Sequence, residues 1–89
     1  IDVHSKAVSL LELYPNPTEG KLQLNMNLVK KGEVEIEIYS LEGKILYQQK
    51  YGETKSVTEQ IEMSAYAKGV YIVKIKVDAE NIYQKVIKQ

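Results

Sequence analysis

Apolar residues fall on every second position through most of this chain. Residues 21–28 read K-L-Q-L-N-M-N-L, so Leu22, Leu24, Met26 and Leu28 share one side of an extended backbone and Lys21, Gln23, Asn25 and Asn27 share the other. Residues 33–39 repeat the pattern, with Val34, Ile36 and Ile38 opposing Glu33, Glu35 and Glu37. Successive side chains of a strand point to opposite faces, so each segment has one dry and one wet side, as in an antiparallel sheet solvated on one face. Residues 44–51 form a further strand with Ile45 and Tyr47 inward and Tyr51 at its end open to either side, and residues 55–62 a weaker one with Val57 and Ile61 as core positions. Residues 70–78 carry the strongest pattern: Tyr71, Val73, Ile75 and Val77 make one face, while Val70 and Ile72 add apolar surface to the other, which predicts a central place in the sheet. Residues 8–14 and 82–88 supply a first and a last strand. The expectation is an all-β, immunoglobulin-like antiparallel β-sandwich of about seven short strands.

Turn chemistry falls between these segments. Lys30-Lys31-Gly32, Ser40-Leu41-Glu42-Gly43, Gly52-Glu53 and Ala79-Glu80-Asn81 are the predicted connections, with Gly43 free to take the left-handed conformation of a bulged hairpin. Residues 64–68 have room for one helical turn capped by Ser64. Residues 1–7 are polar, lack alternation and read as the end of a linker, leaving 8–89 as the domain. A start at Ile1 rather than Met is what a fragment or processed piece would show, with any secretory signal upstream.

Composition narrows the functions. Lys plus Arg equals Asp plus Glu at 12 each, a formal net charge of zero, and all the basic residues are Lys. A nucleic-acid surface needs clustered excess positive charge, often Arg, so no nucleic-acid partner is expected. Without Cys there are no disulfides, thiolate metal sites or Cys nucleophiles. No apolar run reaches the ~18 residues that span a bilayer as a helix, so no transmembrane segment is expected. His4 is the single histidine and lies in the linker, which leaves neither a metal site nor a Ser-His-Asp triad with a base; no cofactor, metal or catalytic group is expected. The Glu33, Glu35 and Glu37 row, with Cα atoms about 6.8 Å apart on one face, reads as a solvated stripe neutralised by Lys on a neighbouring strand. Of seven Tyr, with no Trp or Phe, only Tyr51, Tyr66 and Tyr83 are expected at the surface.

The most distinctive segment is Y-P-N-P-T-E-G at residues 14–20. Each proline fixes its own φ and biases the residue before it to extended geometry, so Tyr14 and Asn16 are held in a stiff corner, Asn16 can hydrogen-bond nearby backbone and Gly20 can close a turn with positive φ. Together with I-Y-S-L-E-G-K at residues 38–44, G-V-Y-I-V-K-I at 69–75 and the ending K-V-I-K-Q at 85–89, this order of elements resembles the type A C-terminal sorting domain of the type IX secretion system, also called the Por secretion tail. The resemblance covers residues 8–89. Ser40 stands where that hairpin often has Asp, and Tyr66 where Leu is usual; both keep the local role.

The resemblance implies a secretion signal. It implies a cargo domain N-terminal in the same chain, passage through the periplasm, recognition by the type IX outer-membrane translocon and its shuttle proteins, and removal by a sortase-like cysteine peptidase. The cargo then reaches the cell surface, joined to anionic lipopolysaccharide, or the medium. The matching positions are Tyr14, Pro15, Asn16, Pro17 and Gly20; Gly43 and Lys44; Gly69 and Tyr71; and Lys85, Val86, Lys88 and Gln89. The C-terminal strand is the expected recognition element, at a sheet edge where another chain could pair with it. The alternative is an accessory carbohydrate- or adhesion-type module contacting a glycan through exposed Tyr. An inert spacer is a third reading.

Overall fold

A computed structural model describes residues 6–89; His4 and most of the expected linker lie outside them. Five antiparallel strands follow in order: β1 (Val8–Tyr14), β2 (Lys21–Ser40), β3 (Ile45–Glu62), β4 (Gly69–Val77) and β5 (Glu80–Lys88). They are all-β as expected, but four of the expected strands are two. Residues 30–32 and 52–53 are bends within continuous strands rather than reverse turns. Along β2 the ladder passes from Asn27 opposite Ser56 to Gly32 opposite Thr54, so β2 takes five residue steps where β3 takes two. The surplus on β2 is a broad bulge, which bends a strand without ending it.

At this bend the β2–β3 ribbon folds back on itself. Residues 21–28 lie between β1 and the second half of β3, while residues 34–40 lie between β4 and the first half of β3, with β5 outside β4. Two side chains bridge the ribbon's arms: the Tyr51 hydroxyl donates to Glu59 Oε2 at 2.6 Å, and the Tyr66 hydroxyl to the Leu46 carbonyl at 3.2 Å. The single curled sheet is thus a sandwich, and its seven arms are the seven expected strands joined at two bends.

The core fills the space between the arms. Leu22, Leu24, Met26, Ile36, Ile38, Val73, Ile75 and Val86 are buried almost completely, with Val57, Ile61 and Met63 closing one side. Full burial of each such side chain is worth roughly 1.5–3 kcal/mol. Ile45 departs from expectation: at 48% exposed it lies outside the core, because the register slips between Ile38 and Tyr39 and throws it off the inward row.

The bend is pinned by Asp78. The β4–β5 hairpin turns through Asp78 and Ala79, one residue earlier than expected, with Asp78 at φ 52° and Val77 opposite Glu80. Glu33 donates its N–H to Asp78 Oδ1 at 3.1 Å, and Asp78 returns its own N–H to the Glu33 carbonyl at 2.9 Å. A Cβ on Gly32 would sit 2.7 Å from Asp78 Oδ2, so glycine is what lets this carboxylate reach the bulge. At the other end, residues 63–66 make a turn closed by Tyr66 N–H to the Met63 carbonyl at 2.9 Å. The expected helical turn is absent there. Instead of Ser64 capping, the Glu62 carboxylate accepts the Ser64 N–H at 3.2 Å, and hydrogen bonding by Ser64 holds Glu62 below the usual carboxylate range.

The acidic row is only in part the expected solvated, lysine-neutralised stripe: Glu35 and Glu37 have lysine partners, and Glu37 is buried at 6% exposed. Lys50 pairs with Glu35 at 3.6 Å and Lys74 with Glu37 at 3.7 Å, while Gln48 donates to both carboxylates and Tyr39 donates to Glu37 at 2.8 Å.

Burial raises the hydroxyl pKa of Tyr51, as it does those of Tyr47 and Tyr66, and the bond to Glu59 raises Tyr51 further. Unfolded tyrosine ionises near pH 10. The stability these groups contribute is therefore fully present below about pH 10 and is lost as pH rises from there through the folded-state values, since the folded chain retains protons the unfolded chain releases. A pH series of urea melts should show stability dropping above about pH 10, and Tyr51→Phe should flatten that limb; an unchanged limb in Tyr51→Phe would show that Tyr51 does not carry it.

Candidate functional site

The motif segments gather at one end of the sandwich. The chain enters β1 beside the bend, where Val29 donates to the Ala7 carbonyl at 2.9 Å. Residues 14–20, 40–45, 63–71 and 85–89 lie at the opposite end, because β2 begins and ends there.

The centre of this pole is a clamp between residues 14–18 and the outer edge of β5. Asn16 donates from Nδ2 to the Lys85 carbonyl at 2.9 Å and accepts the Ile87 N–H on Oδ1 at 3.0 Å. A primary amide carries the same donor and acceptor as a peptide group, so the Asn16 side chain stands in for one unit of a neighbouring strand. Two residues on, the backbone takes over in a parallel bridge to Lys88: Thr18 N–H donates to the Ile87 carbonyl at 2.9 Å, and Gln89 N–H to the Thr18 carbonyl at 2.8 Å. Four successive outward groups, Lys85 O, Ile87 N, Ile87 O and Gln89 N, are thereby satisfied. The expected open edge at the C-terminal strand is closed along this stretch, because residues 14–18 leave the arm holding β1 and cross to β5 in the other.

Thr18 anchors the clamp from beneath. It is wholly buried, donates from Oγ1 to the Lys21 carbonyl at 2.6 Å and accepts the Gly20 N–H at 3.1 Å. Thr18 was not among the residues singled out from the sequence, although it stands inside the Y-P-N-P-T-x-G segment. A hydroxyl between two prolines and a glycine was the available signal.

The other expected positions sort by role. Tyr14 is half exposed rather than covered, and its hydroxyl accepts from Asn25 Nδ2 at 3.1 Å. The Tyr14–Pro15 and Asn16–Pro17 bonds are both cis. Gly20 does not take a positive φ; its carbonyl accepts the Met63 N–H at 2.6 Å, and Ser64 packs close against its Cα. Gly43 does, at φ 88°, with Ser40 and Lys44 closing the hairpin around it. Gly69 opens β4 opposite Lys88. Tyr71 is buried, packs its ring against that of Tyr66 in a tilted contact with centroids 5.6 Å apart, and donates to the Ala67 carbonyl, the tyrosine corner of immunoglobulin-like sandwiches, which ties the start of a strand to the loop before it. Val86 is core. Lys88 is largely buried, with its ammonium on the Gln89 carbonyl. Lys85 and Lys44 expose their side chains.

The pole offers hydrogen-bonded backbone, apolar surface and lysines. Among the described residues no group of acids and histidines is placed to hold a metal ion. Tyr51 and Tyr66 are half-buried and hydrogen-bonded, so of the three tyrosines expected at the surface only Tyr83, at 61%, is freely exposed. No helix among the described residues is long and apolar enough to cross a membrane.

The clamp predicts its own energetics. Thr18→Val leaves the Gly20 N–H and Lys21 carbonyl without their partner in a buried site and should cost about 2 kcal/mol in urea unfolding. Asn16→Ala, at a more exposed site, should cost about 1 kcal/mol, and Asn16→Asp more than Asn16→Ala, because a carboxylate oxygen then faces the Lys85 carbonyl. Equal stability of all three variants and the parent would contradict the clamp.

No curated protein matches the chain. Residues 12–89 match the family described as secretion system C-terminal sorting domain, a span that contains every segment of the pole. The chain therefore belongs to the Por secretion tail family, the C-terminal sorting domains of the type IX secretion system.

Proposed function

We propose that this domain is the part of an exported protein that the type IX outer-membrane translocon and its shuttle proteins recognise, and that the pole built by the motif segments is what they read. Membership of the family makes the domain a sorting signal, directing export to the cell surface or medium, and the family is not one of enzymes. The finer steps are the proposal: a cargo domain N-terminal in the same chain, transit through the periplasm, removal of the domain by a sortase-like cysteine peptidase cutting within or before residues 1–7, and release of the cargo or its attachment to anionic lipopolysaccharide.

One observation carries the reading. Segments far apart in sequence, 14–20, 38–44, 69–71 and 85–89, meet at the end of the sandwich away from the point where the chain enters at Ala7. A cargo attached upstream of Ala7 leaves that end free to meet a receptor. An inert spacer gives no reason for them to meet there. The glycan-module reading loses support from the tucked positions of Tyr51 and Tyr66.

The test is export of a reporter. Residues 1–89 are fused behind a signal peptide and a fluorescent protein in a host with the type IX system, beside the reporter without the domain and the same fusion in a translocon-deficient host. The reading predicts fluorescence at the surface or in the medium only for the fusion in the competent host; retention in the periplasm in every strain would overturn it. Deleting residues 85–89 is a poor control, because it removes Val86 from the core and both Ile87 and Gln89 from the clamp.

A further inference from the structure

The closed edge of β5 changes how its C-terminal half can be read. Strand addition pairs an incoming backbone with unpaired N–H and C=O groups, and from Lys85 to Gln89 the outward groups described above are already taken by Asn16 and Thr18. What this part of β5 still offers is its side-chain face.

That face is unlike the rest of the outer surface. Directly opposed residues on neighbouring strands share a face, and the register places Ile87 beside Val70, Lys85 beside Ile72 and Ile72 beside Tyr39, with Tyr83 beside Lys74 in the next row. Val70, Ile72 and Tyr39 are half-buried, Ile87 is 36% exposed and Tyr83 61%. Lys85 projects from the middle of this apolar strip. Among the described residues its ammonium has no carboxylate partner, and the nearest acid on the same face, Glu37, is already engaged by Lys74, Tyr39 and Gln48. Further along β2 on the same face, Glu35 and Glu37 are paired with lysines, whereas the Tyr39–Ile72–Lys85 row presents a cation without a carboxylate partner, framed by aliphatic and aromatic groups.

Resting on the sorting reading, we infer that the face formed by Tyr39, Val70, Ile72, Tyr83, Lys85 and Ile87 is the docking surface for a protein of the type IX outer-membrane machinery. The partner presents a carboxylate flanked by apolar side chains. Lys85 supplies the complementary charge, the apolar strip supplies area to bury, and the Asn16–Thr18 clamp denies the partner the strand edge and fixes β5 for side-chain recognition. An edge reader would be indifferent to the charge at position 85; a face reader is not.

The experiment uses the same reporter fusion and compares Lys85→Glu, Lys85→Arg, Tyr83→Ser and Lys55→Glu, the last an equal charge change on the exposed surface of the opposite half of the ribbon. Each purified domain is also melted thermally, so that loss of fold is separated from loss of docking. The inference predicts that Lys85→Glu and Tyr83→Ser, folded, lower the exported fraction by about tenfold or more, with the reporter accumulating in the periplasm, while Lys85→Arg and Lys55→Glu export like the parent. Normal export of folded Lys85→Glu, or an equal loss in Lys55→Glu, would overturn the face. So would parent-like export of Tyr83→Ser, or binding of the purified parent domain to phosphatidylglycerol vesicles that Lys85→Glu abolishes while still being exported. A parent fusion that is not exported at all overturns the sorting reading itself, and this surface with it.

Discussion

A strand with an apolar side chain on nearly every even position from Leu22 to Ile38 must bury that row against something, and in this protein it buries it largely against itself. The β2–β3 ribbon is too long to lie flat with one dry face in water. The bulge at Gly32 lets it double over, so that Leu22, Leu24 and Met26 on one arm face Ile36 and Ile38 on the other. All other elements serve that closure. β1 and the β4–β5 hairpin widen the arms, Asp78 pins the bend, and Tyr51 and Tyr66 stitch the faces together.

The doubling also creates the pole where the motif segments gather. Because β2 starts and ends at the same end of the molecule, the segment before it and the hairpin after it become neighbours, and the C-terminal strand comes within reach of residues 14–18. A sandwich closed in this way leaves unpaired strand edges. The edge nearest the C-terminus is covered by an amide side chain and a short parallel bridge, a local way of guarding an edge that would otherwise invite pairing with a second chain. Thr18 and Asn16 thus tie the segment before β2 to β5 and hold that strand in place.

Much of this was legible in the sequence. Period-2 alternation located the core residues of β2 and β4 correctly, and Gly43 takes the left-handed conformation its hairpin required. The bends were misread because Lys30-Lys31-Gly32 and Gly52-Glu53 have the composition of reverse turns, and a bulged bend uses the same residue types. The distinguishing signal was parity: the apolar residues stay on even positions across 28–34 and on odd positions from Tyr47 to Ile61, as one continuous strand demands. Ile45 was misplaced because a register slip is invisible to periodicity. The clamp was half legible. The stiffness of the Tyr14–Gly20 segment and the hydrogen-bonding capacity of Asn16 could be read directly, but a partner some seventy residues away is set by the doubling of the ribbon, which no local pattern encodes. Family resemblance, by contrast, could be read from the motifs without knowing that they meet in space.

Residues 14–18 and the C-terminal strand form one closed unit. Native-state hydrogen exchange on the intact chain tests it most directly. If the clamp exists as described, the amides of Ile87 and Gln89, which point away from β4, exchange slowly and in step with core amides such as that of Val73. If those two amides exchange as fast as an open strand edge while Val73 stays protected, the edge is unguarded and the account of the pole is wrong.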